Sequence, residues 1–221
     1  MSPASLVKIC GLRDTETLSA ALEAGADFIG LVFYPPSPRF VDVETAAGLA
    51  DFIKSQSVSK KILAVGLFVD PSDALLGEVL GRVAPDMIQL HGSETPERVL
   101  AVGETYNLPV IKALPVATEL DFNLIAAYEA VADWLLFDAK PADSNLPGGT
   151  GKTFDWSLLE GRRFSKPWML SGGLHAGNIA DALRLLSPDA VDVSSGVESA
   201  RGVKDVTKIK EFINKIKSLG S

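Results

Sequence analysis

Val7-Lys8-Ile9-Cys10-Gly11-Leu12-Arg13-Asp14 decides the fold. An apolar run of β type ends on a cysteine. It then passes through one glycine into a polar turn, and Asp14 stands where it can cap a following helix. An open sheet that binds a dinucleotide would carry Gly-x-Gly-x-x-Gly at this point. Only Gly11 is present, so a closed barrel is the better reading if the same unit recurs down the chain.

It does recur. Apolar strand-like runs fall at 6–10, 28–33, 61–68, 87–91, 110–114, 134–138, 168–172 and 190–195. Amphipathic stretches lie between them at 14–24, 43–54, 74–82, 97–106, 120–131, 156–163 and 179–186, and a last one covers 204–219. Spacing of roughly 25–35 residues is that of β–α units joined in parallel. The runs are apolar on both faces, as strands covered on both sides must be. Gly25 ends the first helix, and Thr95-Pro96 reads as a cap followed by proline at the first helical position. No linker-like shift in composition interrupts the pattern. The expectation is one (β/α)8 TIM barrel domain spanning residues 1–221.

Composition narrows the function. The chain has 221 residues, 47% of them hydrophobic and 22% charged, which is ample material for a core. The formal charge of −7 argues against a nucleic-acid partner, because phosphate backbones need a basic face. A small anionic substrate stays possible if positive groups gather locally. No apolar run is long enough to span a bilayer, and residues 1–5 do not read as a signal peptide. With one cysteine, these features predict a reducing cytosol and no membrane.

In a barrel of this kind the carboxyl ends of the strands converge on one face, where function sits. They supply Cys10, Gln89, His91, Lys112, Asp138, Ser171-Gly172-Gly173, Asp192 and Ser194-Ser195-Gly196. Cys10 alone reads either as a small buried hydrophobe or as a reacting group. Lys8 shares its parity and should point inward. It is either a buried cation paired with Asp138 or Asp192, or a catalytic group. The two small-residue turns at the seventh and eighth strand ends suit a phosphate, since glycine lets backbone N–H groups approach an anion beside a helix N-terminus. Arg39 sits in Pro35-Pro36-Ser37-Pro38-Arg39, a loop stiffened by three prolines. It is either a fork for a carboxylate or a solvated surface cation. Gly148-Gly149-Thr150-Gly151-Lys152-Thr153 imitates a nucleotide loop, but Leu146 stands where the pattern requires glycine. The segment 141–145 before it reads as an active-site loop, and ATP is not expected. With two histidines and no ligand spacing, no metal is expected either.

Together these residues resemble the phosphoribosylanthranilate isomerases. The resemblance rests on Lys8-Ile9-Cys10-Gly11-Leu12, Ser37-Pro38-Arg39, Gln89-Leu90-His91-Gly92, Gly148-Gly149-Thr150-Gly151, Phe154-Asp155-Trp156, Ser171-Gly172-Gly173-Leu174, Asp192-Val193-Ser194-Ser195-Gly196-Val197-Glu198 and Gly202-Val203-Lys204-Asp205, in family order. It implies an Amadori rearrangement of N-(5-phosphoribosyl)anthranilate without a cofactor. The substrate is then a phosphorylated small molecule carrying an anthranilate carboxylate, and no obligate protein partner is expected. The family's general base matches Cys10 and its general acid Asp138. Arg39 matches the holder of the anthranilate carboxylate. Gly172, Gly173, Ser194, Ser195 and Gly196 match the phosphate site, and His91 and Asp192 line the cavity. The chemistry then asks for an Asp138 kept protonated by burial and a Cys10 thiol lowered toward working pH. A histidine-pathway isomerase or an inactive binding barrel are the competing readings. Cys10 at the base position argues against the first, and the intact set Cys10, Arg39 and Asp138 against the second.

Overall fold

The computed structural model describes residues 6–56, 61–118, 122, 124–139 and 155–219. Eight parallel strands close in sequence order into a barrel. They are β1 Leu6–Cys10, β2 Phe28–Val32, β3 Leu63–Phe68, β4 Met87–Leu90, β5 Val110–Val116, β6 Trp134–Ala139, β7 Trp168–Leu170 and β8 Ala190–Val193. Closure is made by β1 against β8, with Lys8 opposite Asp192 and Ile9 opposite Val193. Outside run α1 Thr15–Ala24, α2 Val43–Gln56, α3 Asp73–Val83, α4 Pro96–Tyr106, α5 Ile125–Glu129, α6 Ile179–Leu185 and α7 Val206–Leu219. No helix among the described residues is long and apolar enough to cross a membrane.

The helix ends follow the local chemistry. Asp14 accepts from the Thr17 backbone N–H, and Gly25 closes α1 at φ 90°. Thr95 accepts from the Arg98 N–H ahead of Pro96, as its sequence suggests. The stretch read as helical at 120–131 holds only the five-residue helix Ile125–Glu129 among its described residues, and two further stretches depart from expectation. The segment predicted helical at 156–163 is a short 3₁₀ turn, Trp156–Leu159. The last helix begins at Val206, because Val203–Lys204 (β10) pairs antiparallel with Glu198–Ala200 (β9) as a small hairpin. The lookalike glycine loop at 148–153 and the loop at 141–145 lie outside the described residues.

Two cores result. The outer strand faces pack on the helices through residues such as Ile9, Ile29, Leu90, Phe137 and Val191. Inside the barrel, Phe28, Val65, Met87, Ile111, Ala113, Leu136, Met169 and Ala190 form a separate apolar plug. The strand parity that fills this plug also carries Lys8, Cys10, Gln89, Asp138 and Asp192 toward the barrel axis, nearer the carboxyl ends. Polarity therefore changes along the axis, from a dry floor to a chemical mouth.

Candidate active site

One cavity of about 780 Å³ opens at the carboxyl ends of the strands. Nine of the ten residues to which the resemblance gives a role line it: Cys10, Arg39, His91, Asp138, Gly172, Gly173, Asp192, Ser194 and Ser195. Gly196 does not. It lines a shallower depression behind the turn, and a side chain there would run into the Leu174 carbonyl. Its glycine is explained by turn-on-turn packing.

Cys10 and Asp138 face each other from β1 and β6, with β7 and β8 between them on one side. Cys10 is a buried free thiol in an apolar wall with Val32 and Leu67, against Tyr34 and Val69. Gly30 on β2 makes room for it, since a Cβ there would stand 2.8 Å from the sulfur. Burial pushes the Cys10 thiol up. The Lys8 ammonium pulls it down, Asp192 pushes it up again, and Lys204 pulls it down; the net direction is up. The lowered thiol expected from the sequence is thus not found, because the two lysines do not outweigh desolvation.

Beneath Cys10, Lys8 Nζ donates to Asp192 Oδ1 at 2.7 Å, both groups buried. Ser171 Oγ donates to the other oxygen of Asp192 at 3.2 Å. Of the two partners weighed for Lys8, Asp192 is the one the fold supplies. Burial weakens the Lys8 charge, but Asp192 and Cys10 more than offset it, so its pKa lies above that of a free lysine.

Asp138 is held at both oxygens. Oδ1 accepts from the Ala139 N–H at 2.9 Å, and Oδ2 lies 3.2 Å from His91 Nε2. Gln89 Nε2 sits 2.9 Å from His91 Nδ1, so the imidazole is held between Gln89 and Asp138. Gly172 has φ +87°, and a Cβ there would meet the Ala139 nitrogen at 2.6 Å and Asp138 Oδ1 at 3.1 Å. This glycine lets the seventh turn close over the acid, a role its sequence did not suggest.

Lys112 is a correction. It does not line the cavity; its neighbours Ile111 and Ala113 fill the interior, so Lys112 points to the helix layer. There Nζ donates to Glu94 Oε2 at 2.6 Å and to the Gly92 carbonyl at 2.8 Å. Glu94 in turn accepts from the Asp70 and Gly92 N–H groups. The pair pins the turn that follows His91.

Arg39 is neither solvated nor wholly free. Its Nε and Nη2 grip Glu198 Oε1 and Oε2 at 2.6 and 3.0 Å. Glu198 also accepts from Lys204 Nζ at 3.0 Å and from the Gly202 N–H at 3.0 Å. Burial works against the Glu198 charge, but hydrogen bonds from Arg39, the Lys204 ammonium and the Gly202 N–H hold its carboxyl at about 2. Lys204 shares that single anion with a second cation, so burial prevails and lowers it to about 8. Lys204 also donates to the Ser194 carbonyl at 2.8 Å, and Ser194 Oγ donates to the Cys10 carbonyl at 3.0 Å. Glu198, Lys204 and the cavity-lining Arg201 were missed as site residues. The signal was present in the charged tail Glu198-Ser199-Ala200-Arg201-Gly202-Val203-Lys204, but a hairpin with strands of three and two residues is too short to declare itself by periodicity.

Residues 7–215 match the family model described as N-(5'-phosphoribosyl)anthranilate (PRA) isomerase. A relative of that name from Paramagnetospirillum magneticum is 53% identical over 208 residues, covering 94% of each chain. The crystal structure of phosphoribosyl anthranilate isomerase from Thermotoga maritima superposes with a TM-score of 0.85 at 37% identity, covering 97% of this chain and 99% of that one. A further phosphoribosyl anthranilate isomerase, solved in complex with reduced 1-(o-carboxyphenylamino)-1-deoxyribulose 5-phosphate, gives a TM-score of 0.82 at 34% identity over 97% of this chain and 99% of that one.

Proposed function

The chain belongs to the N-(5'-phosphoribosyl)anthranilate isomerase family and isomerises that aminoaldose to the aminoketose of tryptophan biosynthesis, and we propose that Cys10 is its general base and Asp138 its general acid. The observation that carries the assignment is that both line one cavity, Cys10 within its apolar wall and Asp138 across from it, together with the glycine turns and the Arg39 guanidinium.

Each part of the substrate then has a matching surface. The aromatic ring lies against Val32, Leu67 and Val69, and its carboxylate takes the free N–H groups of Arg39. The phosphate takes backbone N–H groups around Gly172, Gly173, Ser194 and Ser195, where left-handed glycines let the chain curve in. Asp138 delivers a proton to the ring oxygen. The C1–O bond breaks, and the nitrogen lone pair completes an iminium. The iminium acidifies the C2 hydrogen, which the Cys10 thiolate removes, and the bond electrons flow back to nitrogen. The enaminol then gains a proton at C1 and loses the one on O2. His91 holds Asp138 in place through its Nε2 contact, and the Lys8–Asp192 pair lies beneath the sulfur. A phosphorylated substrate and a lone cysteine both suit the reducing cytosol.

The test is loss of anthranilate-type fluorescence from fresh phosphoribosylanthranilate. Wild type should consume it, while Cys10→Ala and Asp138→Asn each lose about 10²–10⁴ in rate. Variants as fast as wild type would overturn the assignments.

A further inference from the structure

A guanidinium has five N–H donors, and a bidentate grip on Glu198 takes two. The fork uses the Nε–Nη2 edge, which leaves the terminal Nη1–Nη2 edge open on a residue that lines the cavity. The stem of Arg39 cannot swing away. It packs on Gly11, where a Cβ would stand 2.9 Å from Arg39 Cδ, and the Arg39 N–H donates to Ser37 Oγ at 3.1 Å. Glu198 is equally fixed, by Lys204 and by the Gly202 N–H of the β9–β10 turn. Gly202 in turn abuts the loop that carries Arg39, since a Cβ there would stand 2.6 Å from the Pro38 carbonyl oxygen.

Charge bears on the same point. An Arg–Glu pair alone would be neutral and would offer little to an anion. Lys204 adds a second buried cation to the one carboxylate, so the cluster keeps one net positive charge for one incoming carboxylate. Resting on the reading that Arg39 holds the anthranilate carboxylate, we propose that Glu198 is the positioning residue of that site. It occupies the side edge of the guanidinium and so presents the terminal edge to the ligand, while Lys204 keeps the cluster cationic. Because Lys204 also holds Ser194, the hairpin couples the carboxylate end of the site to the phosphate turn.

The test is calorimetric binding of two ligands, reduced 1-(o-carboxyphenylamino)-1-deoxyribulose 5-phosphate and the matched anilino compound without the carboxylate. The proteins are wild type, Arg39→Ala, Glu198→Gln and the double variant. Glu198→Gln should weaken the carboxylate ligand about tenfold and the carboxylate-free ligand by less than about threefold. In the Arg39→Ala background its effect on the carboxylate ligand should shrink below about twofold. Glu198→Asp, which keeps the charge one methylene short, should show a smaller loss of the same selectivity if the glutamine variant does not fold. An equal loss for both ligands, no loss, or an undiminished loss in the Arg39→Ala background overturns the inference. If Arg39→Ala itself fails to discriminate the ligands, the reading of Arg39 falls and the inference with it. If Arg39→Ala discriminates and Glu198→Gln does not, only the inference falls.

Discussion

Two lysines are buried in the barrel wall, and they face opposite ways. Lys8 points inward from β1 to Asp192, under the thiol that lines the cavity. Lys112 points outward from β5 to Glu94, under the turn after His91. Both ion pairs are short and buried, yet their surroundings differ. Beyond the two lysine–carboxylate contacts, Asp192 has the Ser171 hydroxyl, whereas Glu94 and Lys112 are tied to backbone N–H and carbonyl groups on both sides. Burial lowers the Lys112 pKa despite Glu94, whereas Lys8 stays above its ordinary value because two acidic groups face it. On the roles proposed above, one pair is the electrostatic setting of the sulfur assigned as base, and the other is a splint for a loop.

The largest effect should come from Lys8→Met. It strands the Asp192 charge, so about 3–5 kcal/mol of stability should go in urea denaturation. It also removes the cation opposing the Cys10 proton. The rate profile should move to higher pH, with kcat/KM at neutral pH down by at least about tenfold. An unmoved profile would reduce Lys8 to a structural pair like the other.

Next comes Lys112→Met, which should cost a similar 3–5 kcal/mol by stranding Glu94. Here the pH profile should keep its position. A shifted profile would erase the distinction between the two lysines.

Glu198 gives a third, smaller case that pH alone can titrate. Its folded pKa of about 2 lies below the ordinary 4.5, so its contribution is present above about 4.5 and lost as pH falls through about 2. The shift corresponds to about 3 kcal/mol. Glu198→Gln should therefore flatten the fall in stability between those values, measured by urea melts at several pH values. An unchanged acid limb would count against the buried fork.

The smallest effect should be on stability in Lys8→Met/Asp192→Leu. Removing both charges leaves no stranded ion, so stability should return to within about 1 kcal/mol of wild type while activity stays low. Recovery of activity would show that the pair supplies packing rather than field.

The barrel was legible because alternation with helices and doubly apolar strands leave few alternatives. That Cys10, Asp138 and the glycine turns gather at one cavity was legible because polar and small residues at the ends of apolar runs stand out. Lys112 misled for the same reason that β5 could be recognised: a strand apolar on both faces does not say which parity faces the axis. The roles of Glu198 and Lys204 went unread because they depend on a hairpin with strands of three and two residues folding back on the loop of Arg39. Gly172 was read as a ligand-approach glycine, and its contact with Asp138 requires knowing that β6 and β7 are neighbours.

The most direct test of the central claim is the pH dependence of kcat/KM for wild type beside Cys10→Asp. Burial holds the thiol above its ordinary value, so wild-type activity should go on climbing with pH beyond the neutral range as the thiolate fraction grows. A carboxylate at the same place ionises more readily, so the ascending limb of Cys10→Asp should lie at least about one pH unit lower. A flat wild-type profile, or the same limb in both proteins, would contradict Cys10 as the base.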